Sequence, residues 1–419
     1  MTWLLFAGLA VLFMIGMPIG FAMMVASFLA MVTFGMSIVS MPLTIFEGTT
    51  SFVILAVPLF ILMGELMSAT SIAERLVEFA SSLVGWMRGG LAHVDVVANM
   101  FMAEMSGSAV ADAAALGKIF VPQMKRVGYP EAYAVSVTSA AAIIGIIIPP
   151  SIPMVLYGAI TNTSIKDIFI AGIVPGIMLG VAFMITNYFF ARRDGYPVDR
   201  KFELGRLLRA THGALFPLLI PIVVIGGMIG GIFTATEAAA IGVLLALVFG
   251  LARRELTFKV GYRLLLTTSY QTAAVMMVLA GSAILGYLLA NEQILQKMTM
   301  AMGDLANTVF VFLLITNVIL LLAGMFLQAT AAIILIVPVL LPMALQLGID
   351  PVHFAVITCV NLAVGQQTPP VATVLLTVCG VSDGVKMQDT FPYIGWYIFS
   401  MVIVLGLVTY VPYLTLWFK

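Results

Sequence analysis

A chain of 419 residues that is 62% hydrophobic and only 9% charged, with 19 Lys and Arg against 19 Asp and Glu, does not fold as a water-soluble globule. Its mean hydropathy of +1.15 and recurring apolar windows of about 20 residues make it an all-α polytopic membrane protein with on the order of ten spans. Two cysteines, Cys359 and Cys379, and three scattered histidines, His93, His212 and His353, exclude a disulfide framework and a transition-metal cluster; no organic cofactor and no nucleic-acid partner are expected.

The N-terminal run MTWLLFAGLAVLFM has no basic n-region and continues into apolar sequence, so it reads as a first helix and not a cleaved signal. The Ser71–Gly90 segment places Ile72, Leu76, Val77, Phe79, Ala80 and Leu83 near one helical face, opposite Glu74, Arg75 and Glu78, the pattern of an interfacial arm helix. Its two arginines form one of four basic segments. The others are Lys118–Pro130, Arg192–Arg209 with six basic residues, and Arg253–Arg263 with four; by the positive-inside bias these lie on the cytoplasmic side. Gly35–Thr50, Asn291–Asn307 and Met343–Phe354 are nearly free of Lys and Arg and belong on the opposite face. A single apolar stretch separates the basic segments at 71–90 and 118–130, which predicts a re-entrant hairpin with its tip near Ser106-Gly107-Ser108; a true crossing is the alternative. Farther along, GIIIPPS (Gly145–Ser151) and GQQTPPV (Gly365–Val371) each interrupt an apolar segment with two prolines, which break a helix. Tyr196–Arg209 reads either as a third surface helix or as a solvated loop, and ANEQILQKMTMAMGDLAN as a second arm.

Aligning the chain on itself at an offset of 220 pairs the two breaks and makes Ala103/Ala323, Met105/Met325, Ala109/Ala329, Ala111/Ala331, Pro122/Pro342, Gly128/Gly348, Thr138/Thr358, Gly145/Gly365, Pro149/Pro369 and Pro150/Pro370 identical. The loops after the two hairpins differ in charge, so the copies are inverted. Inverted repeats with interrupted helices at matching places point to a secondary transporter with its site near the bilayer midplane. The organisation expected is 1–88 scaffold and first arm, 89–165 first transport half, 166–308 connecting helix, scaffold and second arm, 309–382 second transport half, and 383–419 a C-terminal helix.

Hydroxyl, amide and carbonyl oxygens at the breaks suit Na+ as the only metal. The sodium-binding candidates are Ser106, Gly107, Ser108, Gly145 and Pro149 in the first copy and Gln328, Ala329, Thr330, Gly365, Thr368 and Pro369 in the second. Half-helix N-termini at the same places favour a carboxylate, with Ser108, Pro150, Ser151, Gln366, Gln367 and Pro370 as substrate candidates. For any one Ser or Thr, a hydrogen bond back to its own helix is the competing explanation. Among membrane carboxylates, Glu104 and Asp112 flank the hairpin tip and rank as supporting candidates; Glu65 and Glu237 are expected to cap or pair within the scaffold. No HExxH or GxSxG motif and no His or Lys near Ser106 or Ser108 supports an enzyme.

The runs SGSAVADAAALGKIFVPQMKRVGYPEAYA and GIIIPPSIPMVLYGAITNTSIKDIFIAGIVPGI, with TATEAAAIG, GIDPVHFAV and TPP of the second copy, resemble the large membrane subunit of tripartite ATP-independent periplasmic (TRAP) transporters, in the ion-transporter superfamily. The resemblance implies a sodium-coupled elevator in the bacterial inner membrane, fed with a small organic anion by a periplasmic solute-binding protein. It also implies a small four-helix membrane subunit, here expected as a separate chain. Departures from the family pattern are Gln328 for an acidic residue, Ala372 for glycine, and Gln366-Gln367 for an apolar pair. The rivals are a stand-alone anion:cation symporter or exchanger of the same superfamily and a passive channel.

Overall fold

The computed structural model describes residues 2–199, 201–292, 308–382 and 384–419, with the side chains of Thr2, Trp3, Leu4, Phe6, Glu104, Met105 and Ser106 outside that description. Helices dominate. In the first half they are α1 (Thr2–Met14), α2 (Ile19–Thr33), α3 (Ser40–Thr49), α4 (Ala56–Ser68), α5 (Ile72–Val84), α6 (Gly90–Ser106), α7 (Ala109–Arg126), α8 (Glu131–Ala142), α9 (Ile152–Thr161) and α10 (Ile165–Asp194). In the second half they are α11 (Leu204–Ile229), α12 (Ala235–Ala252), α13 (Phe258–Asn291), α14 (Val309–Phe326), α15 (Ala329–Gln346), α16 (Pro351–Gln367), α17 (Thr373–Val381), α18 (Phe391–Tyr410) and α19 (Tyr413–Leu416).

Local chemistry sets many of these boundaries. Ser164, Thr234, Thr257, Thr308 and Asp350 precede helices and accept a hydrogen bond from a first-turn N–H, satisfying donors that the helix itself leaves open. Glu237 completes a capping box with Thr234, the scaffold role expected for it. Left-handed residues at Asn162 and Gly195 end α9 and α10. Both Pro-Pro pairs, Pro149-Pro150 and Pro369-Pro370, have cis bonds.

The internal repeat is visible in the helix boundaries. Shifting α7 by 220 gives α15 at both ends, while α6 and α9 land within one residue of α14 and α17 at the end that differs. Packing follows the same exchange: α7 lies on α17, and its mate α15 lies on α9. Helices α2, α3, α4, α12 and α13 pack mainly on one another, whereas the hairpins α6–α7 and α14–α15 enclose the broken pairs α8–α9 and α16–α17, with α10 and α18 against them. Large apolar side chains such as Phe28, Ile185, Leu215, Ile222, Val318 and Phe399 are exposed, as lipid-facing helix surfaces require.

The four basic segments form one face of the molecule. Arg88 pairs by a β-bridge with Val198, Arg206 forms an ion pair with Glu78 at 2.9 Å, Glu255 accepts from the Ser71 N–H, and Arg126 shares a surface hollow with Glu78 and Asp199. Helix α6 starts and α7 ends on this face, so the segment is re-entrant and does not cross. The second hairpin has both ends at another surface: Phe310 stacks on Tyr410 with ring centroids 4.8 Å apart, and Asp350, beside the end of α15, pairs with Lys419 at 2.5 Å. Partial burial alone pushes the Asp350 carboxyl up, but Lys419 and the Val352 N–H hold it below the ordinary range.

The span count narrows, and the alternatives left open for Tyr196–Arg209 resolve. Among the described residues seven helices are long and apolar enough to cross a bilayer, or eight if α3 and α4, bent by 56°, count as one span. The estimate of ten is higher because hydropathy windows continue through breaks that divide α8–α9 and α16–α17 into pieces shorter than a bilayer. Tyr196–Arg209 is not a third surface helix: a loop precedes Leu204, where the long α11 begins. The first arm is α5, resting on α6 and α11 with Ile72, Leu76 and Ala80 buried; most of the second arm, residues 293–307, lies outside the described residues.

Ala372 is wholly buried and has φ +49°, a left-handed conformation in which a Cβ costs about 1 kcal/mol. Ala372→Gly is therefore expected to raise the melting temperature of the purified protein. A lower melting temperature would contradict strain at this turn.

Candidate functional site

One cavity of about 410 Å³ gathers both hairpin tips and both breaks. Its wall combines Gly107, Ser108 and the first turn of α7, Gln328, Ala329 and Thr330 at the start of α15, Ile146 and Ile152 from the first break, and Gln366 from the second. Helices α4 and α13 close it with Ile61, Gln271, Ala274 and Val275. A larger hollow of about 560 Å³ on the basic face, lined by Arg75, Arg206, Arg209 and Arg253, contains no hairpin-tip or break residue.

The N-terminal turns of α7, α9 and α15 all reach the central cavity. Their first-turn N–H groups, open except where a cap meets them, and their partial positive charge favour an anion, each helix end by roughly 0.3–1 kcal/mol at an exposed site and more where water is excluded. Ser108 caps α7 by accepting from the Ala111 N–H at 3.4 Å, whereas Gln328 makes no side-chain cap on α15. No Lys, Arg or His belongs to the described wall.

At the first break the hairpin tip and the interruption touch. A Cβ on Gly107 would stand 3.1 Å from the Ile152 nitrogen and 3.3 Å from the Pro150 oxygen. Gly145 lies against Asp112, whose Oδ2 would be 2.7 Å from an added Cβ, and Asp112 is 1% exposed. This carboxylate therefore stands at the break, close to where its place in the sequence suggested. Pro149, Pro150 and Ser151 are buried outside the cavity wall, and the Ser151 hydroxyl donates to the Ile146 carbonyl at 2.5 Å.

At the second break the closest approach is backbone to backbone. A Cβ on Gly365 would come 2.6 Å from the Gly324 Cα and 2.9 Å from the Leu321 oxygen. The Thr368 hydroxyl donates to its own helix at Val364, 2.7 Å away, and with Pro369 and Pro370 it stands outside the cavity wall. The adjacent glutamines separate: Gln366 faces the cavity, while Gln367 is wholly buried and donates to Ser139 on α8 at 2.7 Å. The Gln367 Oε1 is left without a hydrogen-bond partner among the described residues, an orphan acceptor whose burial is costly unless a cation or donor meets it. Glu104 and Ser106 belong to α6, but their side chains lie outside the described residues.

Sequence reading missed the scaffold side of the cavity. Gln271 is one polar residue on a long apolar helix, and only the fold shows that it lines the wall and donates to Glu65 at 2.8 Å. Asp95 was also missed. It is fully buried and joins α6 to α8 by accepting from Thr138 at 2.5 Å and from Asn99 at 2.8 Å; an uncompensated carboxylate in the first transport half was the available signal.

Inverted hairpins and paired broken helices around a central cavity define a membrane transport protein. Residues 6–414 match the family described as "Tripartite ATP-independent periplasmic transporter, DctM component". The chain is 37% identical over 414 residues to the sialic acid TRAP transporter large permease protein SiaM of Vibrio cholerae, covering 98% of this chain and 96% of that one. It is 36% identical to the C4-dicarboxylate large permease DctM of Pseudomonas aeruginosa, covering 91% and 89%. In fold it is similar to the YdaH transporter of Alcanivorax borkumensis, at 14% identity with a TM-score of 0.65 over 89% of this chain and 87% of that one. The chain belongs to the DctM family of TRAP large permeases, multi-pass proteins of the inner membrane that act as transport components and not as enzymes.

The contrast between the breaks is testable. Gly365→Ala sets a methyl against backbone and is expected to destabilise the protein by roughly 1–3 kcal/mol. Gly145→Ala meets a side-chain oxygen and not backbone, and should lower the melting temperature less. Equal losses would contradict the distinction.

Proposed function

We propose that this permease couples inward sodium flow to uptake of a small organic anion by an elevator movement. The observation that carries the proposal is the convergence of both hairpin tips, both breaks and two scaffold helices on one cavity. In this reading α6–α10 and α14–α18 move as the transport domain against α2–α4 and α11–α13. Sodium is held at the first break by Ser106, Gly107, Ser108, Gly145 and Pro149. A second ion is held by Gln328, Ala329, Thr330, Gly365, Thr368 and Pro369, with the orphan Oε1 of Gln367 as a further ligand. Thr368 offers its hydroxyl oxygen as acceptor, since its proton is committed to Val364.

Neutral oxygens suit a monovalent hard cation, and Asp112 sets a carboxyl group beside the first break. Sodium orders both clefts before substrate arrives, which lowers the ordering cost of substrate binding and couples the two ligands. The anion lies between the N-termini of α7, α9 and α15, with Ser108 and Gln366 in contact; Pro150, Ser151 and Pro370 shape the backbone behind it. The relatives' names include sialic acid, C4-dicarboxylate and 2,3-diketo-L-gulonate transport, which supports a cargo among organic acids. A periplasmic binding protein delivers it, and a small membrane subunit completes the permease.

Reconstituting the permease with both partners and imposing an inward sodium gradient should drive uphill accumulation that rises with the gradient. Uptake indifferent to sodium would remove the coupling, and full uptake without the binding protein would favour a stand-alone symporter.

A further inference from the structure

The cavity is sided by chemistry that distinguishes among organic acids. Three carboxamides line it, Gln271 from the scaffold and Gln328 and Gln366 from the second repeat, together with Ser108 and Thr330. Each carboxamide offers both donors and an acceptor, and each hydroxyl offers both roles. A ligand hydroxyl is likewise donor and acceptor, so it can satisfy either end of an amide. An ionised carboxylate only accepts, so it can meet the N–H end of an amide but gives the amide oxygen no donor.

The scaffold amide is oriented. Gln271 Nε2 donates one of its two N–H groups to Glu65 Oε1 at 2.8 Å, which leaves its carbonyl oxygen and one N–H for a ligand and sets a carboxylate beside them. The positive field comes from helix N-termini on the transport-domain side and from no cationic side chain among the described wall residues. One carboxylate is therefore matched by the helix ends, while a second, directed toward α4 and α13, meets the Glu65–Gln271 pair with one amide N–H and no compensating cation among the described wall residues. Ile61, Ile146, Ile152 and Val275 supply apolar wall for the C–H faces of a ring or carbon chain.

We propose that the cargo is a polyhydroxylated monocarboxylate, a sugar acid, in preference to a dicarboxylate. The inference rests on the transport function proposed above and assigns Gln271 and Gln366 as the residues that read the hydroxyls. Gln366 travels with the cargo, whereas Gln271 is fixed in the scaffold, so the two amides examine the same ligand from the moving and the static side.

The test uses the purified complex of this chain with its small membrane subunit, in detergent with sodium, titrated with D-gluconate, D-galacturonate and succinate while thermal stability is followed. At least one sugar acid is expected to bind ten-fold or more tightly than succinate. Gln271→Leu, at an exposed scaffold position, and Gln366→Leu should each weaken sugar-acid binding at least ten-fold and narrow the preference over succinate, while Gln271→Leu keeps the stabilisation by sodium alone. Tighter or equal binding of succinate overturns the proposal. So does a sodium response with no binding of either sugar acid, or an unchanged preference in both variants. If sodium itself neither stabilises the complex nor drives uptake of any acid, the transport reading falls and takes this inference with it.

Discussion

A backbone polar group inside a bilayer has to find a partner within the protein, yet this chain interrupts two helices at membrane depth. That requirement shapes the rest of the molecule. Each break is enclosed by a hairpin and by a helix from the other repeat, because a lipid-facing interruption would leave donors and acceptors unpaired. Local bonds recover part of the loss: Ile147 and Ile148 donate to Ile144, Ser151 donates to Ile146, and the Thr368 N–H donates to Gly365. The groups that remain open, at the helix N-termini around the cavity, are those able to serve a ligand. Enclosing the breaks and exposing them to one cavity is thus a single arrangement seen from its two sides.

The two halves share a backbone plan but differ in chemistry. At the first break Gly145 abuts a buried carboxylate, Asp112; its counterpart Gly365 abuts the backbone of Gly324. The first break is buried throughout, while Thr368 and Pro369 are partly exposed and Pro370 is exposed. Gln367 reaches from the second broken helix to Ser139 on the first, so the unusual glutamine pair serves two roles, one amide facing the cavity and one tying the two breaks together. An apolar pair at these positions could do neither.

Much of this architecture is written in local signals. Paired prolines, small residues at Ser106-Gly107-Ser108 and the side-to-side distribution of Lys and Arg indicate the breaks, the first hairpin and the orientation, because backbone satisfaction and charge placement act over short distances. The offset of 220 is legible for the same reason: it relates helix caps and prolines that act locally. What escapes the sequence is contact between distant elements. Nothing near Gln271 marks it as a cavity residue, because its significance depends on α13 packing beside the hairpin tips. Gln366 and Gln367 are neighbours, and only the direction each side chain takes separates their roles. The excess spans in the hydropathy reading have a related cause: an average over about 20 residues does not register a break only a few residues wide.

In the proposed transport cycle the anion lies between the N-termini of α7, α9 and α15, against the scaffold at Gln271. Cryo-electron microscopy of the assembled permease in saturating sodium, with and without a transported acid, tests it most directly. Ligand-dependent density is expected in the 410 Å³ cavity, with the carboxylate at the helix ends and Gln366 in contact. Density instead in the arginine-lined hollow beside α5 and α11, with the central cavity unchanged, would contradict it.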